Sequence, residues 1–415
     1  MKPTHKLLFI LCPILVLGFI YYSSWKLHYY IWIQKPQIDA EEATVVLTNA
    51  ADVKGMTEME TDFSVGRIVG SGTSAAHPAK TLPIIVFPPH HFRENVYDKQ
   101  GFLVHLDTQL SPDLVYKYGN LSEGACKPGY AAAKMASIYP KFMKLAPMFL
   151  DPNFKRLAKV SSYMPPFGFK TQEKLIDNIL RETKSYGLGE HLDSLSCKRC
   201  IIVGNGGILS NKSLGSRIDL YDVVIRLNEA PVKGYSKDVG SKTTMRITYP
   251  EGAIQKPENY EDNSLFVFSA FKPLDFKWLK QMVYKEKVRG MEGFWKSVAQ
   301  YVPREASDMR ILNPYFIQEA AFQFIGLPFN NGLMGKGNIP TLGTVAITMA
   351  LHNCDEVAVA GFGYDMNMPY APLHYYETVR MSTIKESWTH NIPKEKEFLR
   401  KLVKANVITD LTNGI

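Results

Sequence analysis

The sequence predicts an α/β fold, a parallel sheet covered by helices on both faces. Three observations carry this prediction. The apolar run 201–203 breaks into Gly204-Asn205-Gly206-Gly207, and a second apolar run closes at Arg226-Leu227-Asn228. Strand-like and helix-like stretches then alternate toward the C-terminal part of the chain. The last alternation, a helix over 342–351 and a strand over 357–360, ends in another glycine turn at Gly361-Phe362-Gly363.

The elements follow in order. Residues 201–203 form a strand, and the glycines behind it permit a tight reversal and a close approach to bare backbone. Asn205 adds an amide that donates and accepts. A polar stretch with leucines at helix-compatible positions leads to the second strand, which ends near Asn228. Such a strand–turn–helix–strand unit presents backbone N–H groups where a phosphate can sit. The turn is not a full G-x-G-x-x-G, because Leu209 occupies the third glycine's place. Gly240-Ser241-Lys242-Thr243 lacks the spacing of a P-loop. Residues 265–268 read as a strand. Residues 275–285, with Phe276, Leu279 and Val283 at helical spacing, read as a helix. A short strand at 310–312 precedes a helix through Gln318 to Phe324. Thr341 is the expected N-cap of the helix over 342–351. Asn205, Asn228 and Gly363 therefore fall at the carboxyl ends of strands, where ligands of such sheets lie.

The chain's 415 residues divide as 1–6, a cytoplasmic tail; 7–25, a spanning signal-anchor; 26–100, a stem; and 101–415, one large domain. The run 7–22 carries no charge, and its extension to Trp25 reaches the length a spanning helix needs, roughly 17 to 25 residues. Lys2 and Lys6 precede it and aromatic residues follow it, which favours an uncleaved anchor with a luminal remainder over a cleaved signal peptide. A short aromatic-rich span suits a thin internal membrane such as that of the Golgi. The stem has prolines and small residues without sustained periodicity.

Cys12 lies in the span, and Cys126, Cys197, Cys200 and Cys354 form an even set with three pairings open. No second cluster completes a zinc shell around Cys197-x-x-Cys200. Asn120-Leu-Ser122 and Asn211-Lys-Ser213 are N-glycosylation acceptors. Together these features point to an oxidising lumen. The net charge of +8 is scattered, without the basic runs of a nucleic-acid surface. A mild positive field still favours an anionic ligand.

The segment 197–250 resembles the long sialylmotif of animal sialyltransferases, glycosyltransferase family 29. Pro340-Thr341-Leu342-Gly343 through Cys354-Asp355-Glu356-Val357 and Ala360-Gly361-Phe362-Gly363 resembles the short motif. His374-Tyr375-Tyr376-Glu377 resembles the third, and His390 with Glu395 the very short one. The likeness runs from about residue 100 onward, in the family's order, and is nearest to the β-galactoside α-2,3 group of N-acetyllactosaminide type.

The resemblance implies a Rossmann-like, modified GT-A-type domain. It implies transfer of N-acetylneuraminic acid from CMP, with inversion, to the 3-hydroxyl of terminal galactose on Galβ1-3/4GlcNAc chains of glycoproteins and glycolipids. Lactosylceramide is the alternative acceptor. It implies His390 as general base on the acceptor hydroxyl and His374 as hydrogen-bond donor to the donor phosphate. Asn205 and Asn228 would contact the nucleotide, and Thr341, Gly343 and Gly363 would close around CMP. A Cys200–Cys354 disulfide is also implied, leaving Cys126 and Cys197 as a second pair. Histidine suits the base role because its ordinary pKa lies near neutrality. No Asp-x-Asp occurs in the chain, so neither a metal nor another cofactor is expected. Where the family's short motif has a tyrosine before the proline, this chain has Ile339, so a ring contact to the donor is expected to be missing. Trp295, in Phe294-Trp295-Lys296, reads as a core residue, with a wall of the site as its alternative.

Two other classes compete. An NAD-dependent oxidoreductase would carry an acidic residue at the end of the second strand, where Asn228 stands. A non-catalytic carbohydrate-binding protein would have no use for His374 and His390.

Overall fold

The computed structural model describes residues 124–142, 146–290, 292–330, 337–365, 367–386 and 389–415. The expected tail, anchor and stem, the first part of the large domain, and the Asn120 acceptor lie outside the described residues. Among the described residues no helix is long and apolar enough to cross a membrane.

Seven strands form one parallel sheet: β1 (Arg199–Val203), β2 (Val223–Leu227), β3 (Met245–Thr248), β4 (Leu265–Phe268), β5 (Met309–Ile311), β6 (Glu356–Ala360) and β7 (Ile408–Asp410). Their order is β5-β4-β3-β2-β1-β6-β7. The chain starts at the centre, builds outward to β5, and returns to the other side of β1 for β6 and β7. The order therefore reverses between β1 and β6, which pair from Arg199 opposite Glu356 to Val203 opposite Ala360. A crevice opens at such a reversal because the connections on its two sides diverge.

The central strands are buried on both faces, and successive side chains join opposite faces, as a two-residue period requires. Cys200, Ile202, Val223, Ile225, Val357 and Val359 join one core cluster. Ile201, Val203, Val224, Ala358 and Ala360 join another on the opposite face. Five longer helices flank the sheet: α1 (Tyr130–Ile138), α2 (Glu173–Thr183), α3 (Pro273–Val283), α4 (Leu342–Asn353) and α5 (Ile392–Lys404). Helix α4 is buried almost throughout and packs in the first cluster. Helix α5 adds Phe398, Leu399 and Leu402 to the same cluster.

The structure departs from the sequence-based expectations in several places. Strands β3 and β7 and helices α1, α2 and α5 were not anticipated. The link from β1 to β2 holds only a short turn, Gly207–Leu209, and a brief helix, Gly215–Asp219, instead of a full helix. The stretch expected as a helix through Gln318 to Phe324 is a π-helical segment over Glu319–Phe324. Inside it Glu319 bonds both Tyr315 and the buried His352. Trp295 is not a core residue: it is 57% exposed.

Two disulfides close the fold, Cys126–Cys197 and Cys200–Cys354. The second joins the entry ends of the paired strands β1 and β6.

Candidate active site

A cavity of about 660 Å³ opens over the carboxyl ends of the strands at the reversal point. Asn205, Asn228, Thr341, Gly343, Gly363, His374 and His390 all border it. Residues far apart in sequence meet there through backbone pairing. Gly206 bridges His374 in antiparallel fashion. Gly207 donates to the Leu373 carbonyl at 3.0 Å, and Tyr375 donates to the Asn205 carbonyl at 3.1 Å. The glycine turn after β1 and the histidine segment are thus one hydrogen-bonded unit.

The glycines have a packing reason as well. A Cβ on Gly204 would lie 2.6 Å from the Gly361 carbonyl oxygen, so the turns after β1 and β6 touch backbone to backbone. Gly363 has φ of +93°, and a Cβ there would lie 1.7 Å from the Gly414 carbonyl oxygen. Only glycine fits both demands. Gly343 packs against the ring of Phe362.

Asn205 donates through Nδ2 to the Tyr376 hydroxyl at 3.4 Å. Its Oδ1 is buried and has no hydrogen-bond partner among the described residues. A buried amide oxygen left so is costly unless a ligand supplies the donor. Asn228 sits at φ +52°, just past β2. Its carbonyl accepts from Arg246 at 2.8 Å, as does that of Ala230 at 3.0 Å. Arg246, on β3, is itself paired with Glu261. Burial alone raises the Glu261 carboxyl, but the adjacent guanidinium more than offsets this and holds it below the ordinary range. An ion pair anchored on the interior strand β3 thereby fixes the Asn228 turn.

His374 makes a short contact from Nδ1 to Glu377 and stacks on Tyr376, with ring centroids 5.4 Å apart. A carboxylate on Nδ1 leaves Nε2 to face a ligand. Burial raises the Tyr376 phenol, so this hydroxyl stays protonated. Tyr364 and Tyr249, also bordering the cavity, are each pushed up to about 12 chiefly by burial.

His390 donates from Nδ1 to the Ile339 carbonyl at 2.9 Å. A carbonyl only accepts, so Nδ1 carries the proton and the lone pair of the neutral ring lies on Nε2. Ile339 is fully buried, and its service to the site comes from its backbone. Three donor groups on two residues, Thr341 and Thr344, converge on Glu395. Its Oε1 accepts from the Thr341 amide at 3.0 Å, and its Oε2 accepts from the hydroxyls of Thr341 and Thr344, each at 2.6 Å. Burial raises the Glu395 carboxyl against the opposing pull of His390 and these donors. Thr341 also caps α4 by accepting from Thr344 N at 3.3 Å. Leu342 and Gly343, in the first turn of α4, border the cavity; a helix leaves its first-turn amides without internal acceptors.

Sequence reasoning missed four contributors. Glu377 stands three residues after His374, and that spacing was its signal. Tyr249 follows the unrecognised strand β3. Phe271 follows β4, and Lys396 lies one turn into α5. Trp295, expected in the core, borders the cavity, because its loop carries it out over the ends of β3 and β4. Asn211 lies on the surface in a left-handed turn with φ +62°. Among the described residues no three His, Cys, Asp or Glu side chains gather as metal ligands would.

A profile of glycosyltransferase family 29 (sialyltransferase) matches residues 149–407. A CMP-N-acetylneuraminate-beta-1,4-galactoside alpha-2,3-sialyltransferase of Homo sapiens is 60% identical over 411 residues, covering 99% of this chain and 98% of that protein. A lactosylceramide alpha-2,3-sialyltransferase of Homo sapiens is 42% identical over 296 residues, 70% of this chain and 71% of that protein. The fold is similar to the crystal structure of a mammalian sialyltransferase, with a TM-score of 0.53 at 22% identity over 70% of this chain and 98% of that one.

Proposed function

Because the chain belongs to glycosyltransferase family 29, the sialyltransferases, we propose that it moves N-acetylneuraminic acid from its CMP donor onto the 3-hydroxyl of a terminal galactose. The preferred acceptor is the β-1,4-galactoside named in the relative at 60% identity; the lactosylceramide enzyme is a more distant relative, at 42%. One observation carries the reading. Two histidines, the unpartnered Asn205 amide oxygen and the start of α4 surround one cavity at the sheet's reversal point.

The residues divide the work. Nε2 of His390 removes the proton from the acceptor hydroxyl as that oxygen bonds to the anomeric carbon. The bond from that carbon to the phosphate oxygen breaks, and its electron pair leaves with CMP. His374, held from behind by Glu377, donates a hydrogen bond to the departing phosphate. Asn205 and Asn228 hold the nucleotide, with Thr341, Gly343 and Gly363 lining its enclosure. Attack from the face opposite CMP inverts the anomeric centre.

The reaction needs no metal in this proposal. A single phosphate asks for less charge than a diphosphate, and the amides of α4 with His374 supply it. The chain's lack of Asp-x-Asp supports the same view. The catalytic domain, 101–415, is a modified GT-A-type fold carried by a type II signal-anchor (7–25) and a stem (26–100) in the Golgi membrane, glycosylated at Asn120 and Asn211.

The test uses the full chain in detergent with CMP-sialic acid, Galβ1-4GlcNAc and EDTA. The expected product is α-2,3-sialylated, and glycosidase treatment lowers the mass of the protein. An absolute requirement for a divalent ion, or no transfer to any galactose-terminated acceptor, contradicts the proposal.

A further inference from the structure

The cavity has two chemically different ends. Over β1 and β6 it is polar, with Asn205, His374 and the glycine turns. Over β3 and β4 it is aromatic. Tyr249 follows β3 and Phe271 follows β4, and their ring centroids lie 4.8 Å apart. Trp295 extends this surface, 5.7 Å from Tyr249 and inclined to it by 44°.

Trp295 is held on one face of its ring. The Lys272 ammonium sits 4.6 Å from the Trp295 centroid and 4.7 Å from that of Phe294. It is locked there by Glu251 at 2.7 Å and Asp275 at 2.8 Å, both fully buried. A cation over an indole anchors one face of the ring and leaves the other face for a ligand. The ring remains 57% exposed while bordering the cavity. The rim beside it carries the exposed Lys296–Glu229 pair at 3.1 Å, which offers charged groups to hydroxyls.

We propose that Trp295, backed by Tyr249 and Phe271, is the stacking wall for the acceptor galactose and sets the enzyme's affinity for it. This rests on the sialyltransferase reading given above. The chemistry of the two substrates decides the assignment. A phosphate needs N–H donors, which the β1/β6 end supplies. Galactose gathers the C–H bonds of carbons 3, 4 and 5 on one face of its ring. That face sheds water favourably against an aromatic plane, while its hydroxyls reach a polar rim.

The experiment compares W295A and W295F with the parent chain, measuring KM separately for Galβ1-4GlcNAc and for CMP-sialic acid, with CMP as inhibitor. W295A is expected to raise the acceptor KM by about tenfold, the loss of one good stacking contact. The donor KM and CMP inhibition stay unchanged, and W295F stays close to the parent. Trp295 is largely exposed, so the fold does not depend on it; retained CMP inhibition checks this directly. If W295A weakens the donor and CMP instead, the wall stacks cytosine and the assignment is overturned. Unchanged constants for both substrates overturn it as well. Failure of the parent chain to transfer sialic acid at all would remove the enzymatic reading itself, which is a separate result.

Discussion

His390 keeps one tautomer because its Nδ1 proton is committed to the Ile339 carbonyl. Replacing it with alanine removes the lone pair and, in the proposed mechanism, spares the groups that hold the nucleotide. H390A is expected to lower kcat by about 10²–10⁴-fold while calorimetry still detects CMP binding. Unchanged turnover would clear His390 of the base role. Asn205 provides a second test at this scale. N205D keeps the shape but sets a negative charge against an anionic donor, so the KM for CMP-sialic acid should rise by about tenfold or more, with little change at the acceptor. Both residues were legible in the sequence, since each lies in a short pattern tied to a strand end or to a family motif. Their partners were not. Ile339 acts through its carbonyl, which no side-chain pattern announces. Trp295 looked like a core residue because aromatic side chains usually are.

At the scale of elements, β3 shows what periodicity misses. Its four residues include Arg246, which reads as polar yet is almost fully buried. The strand is viable because Glu261 and two backbone carbonyls satisfy the guanidinium. E261Q removes the countercharge and should cost about 3 kcal/mol in denaturant unfolding. The sign with pH follows from the lowered pKa. Glu261 titrates below its ordinary 4.5 in the folded chain, so its contribution is full above that pH and is lost as pH falls through the folded value. E261Q should therefore lose less stability than the parent as pH is lowered from above 4.5, in thermal melts across an acid series. Equal acid sensitivity would mean that the pair does not titrate with folding. The loop after β2 depends on the same pair, because Arg246 bonds the carbonyls of Asn228 and Ala230. Helices α3 and α4 were readable because their apolar residues, and for α4 the Thr341 N-cap, are local, whereas α1, α2 and α5 were not anticipated. The β1–β2 link holds the expected turn and helix, though the helix is brief, Gly215–Asp219.

For the whole molecule, the two disulfides close loops of 71 and 154 residues in sequence separation. Each should contribute about 2–4 kcal/mol, so dithiothreitol is expected to lower the melting temperature and, with it, turnover. The Cys200–Cys354 bond staples β1 to β6 at the end opposite the cavity. A C200S/C354S chain with unaltered melting and activity would show that the paired strands hold the reversal point without it. By itself, the sequence determined the α/β class, the two glycine turns and the histidines, because strand ends, glycines and motif residues are set by neighbours along the chain. Only the tertiary structure decided which of them meet. The Gly206–His374 bridge, the Glu395 contact to Thr341 and the aromatic wall at Trp295 join segments separated by dozens to over a hundred residues. Such contacts follow from strand order and loop packing, which local periodicity does not encode.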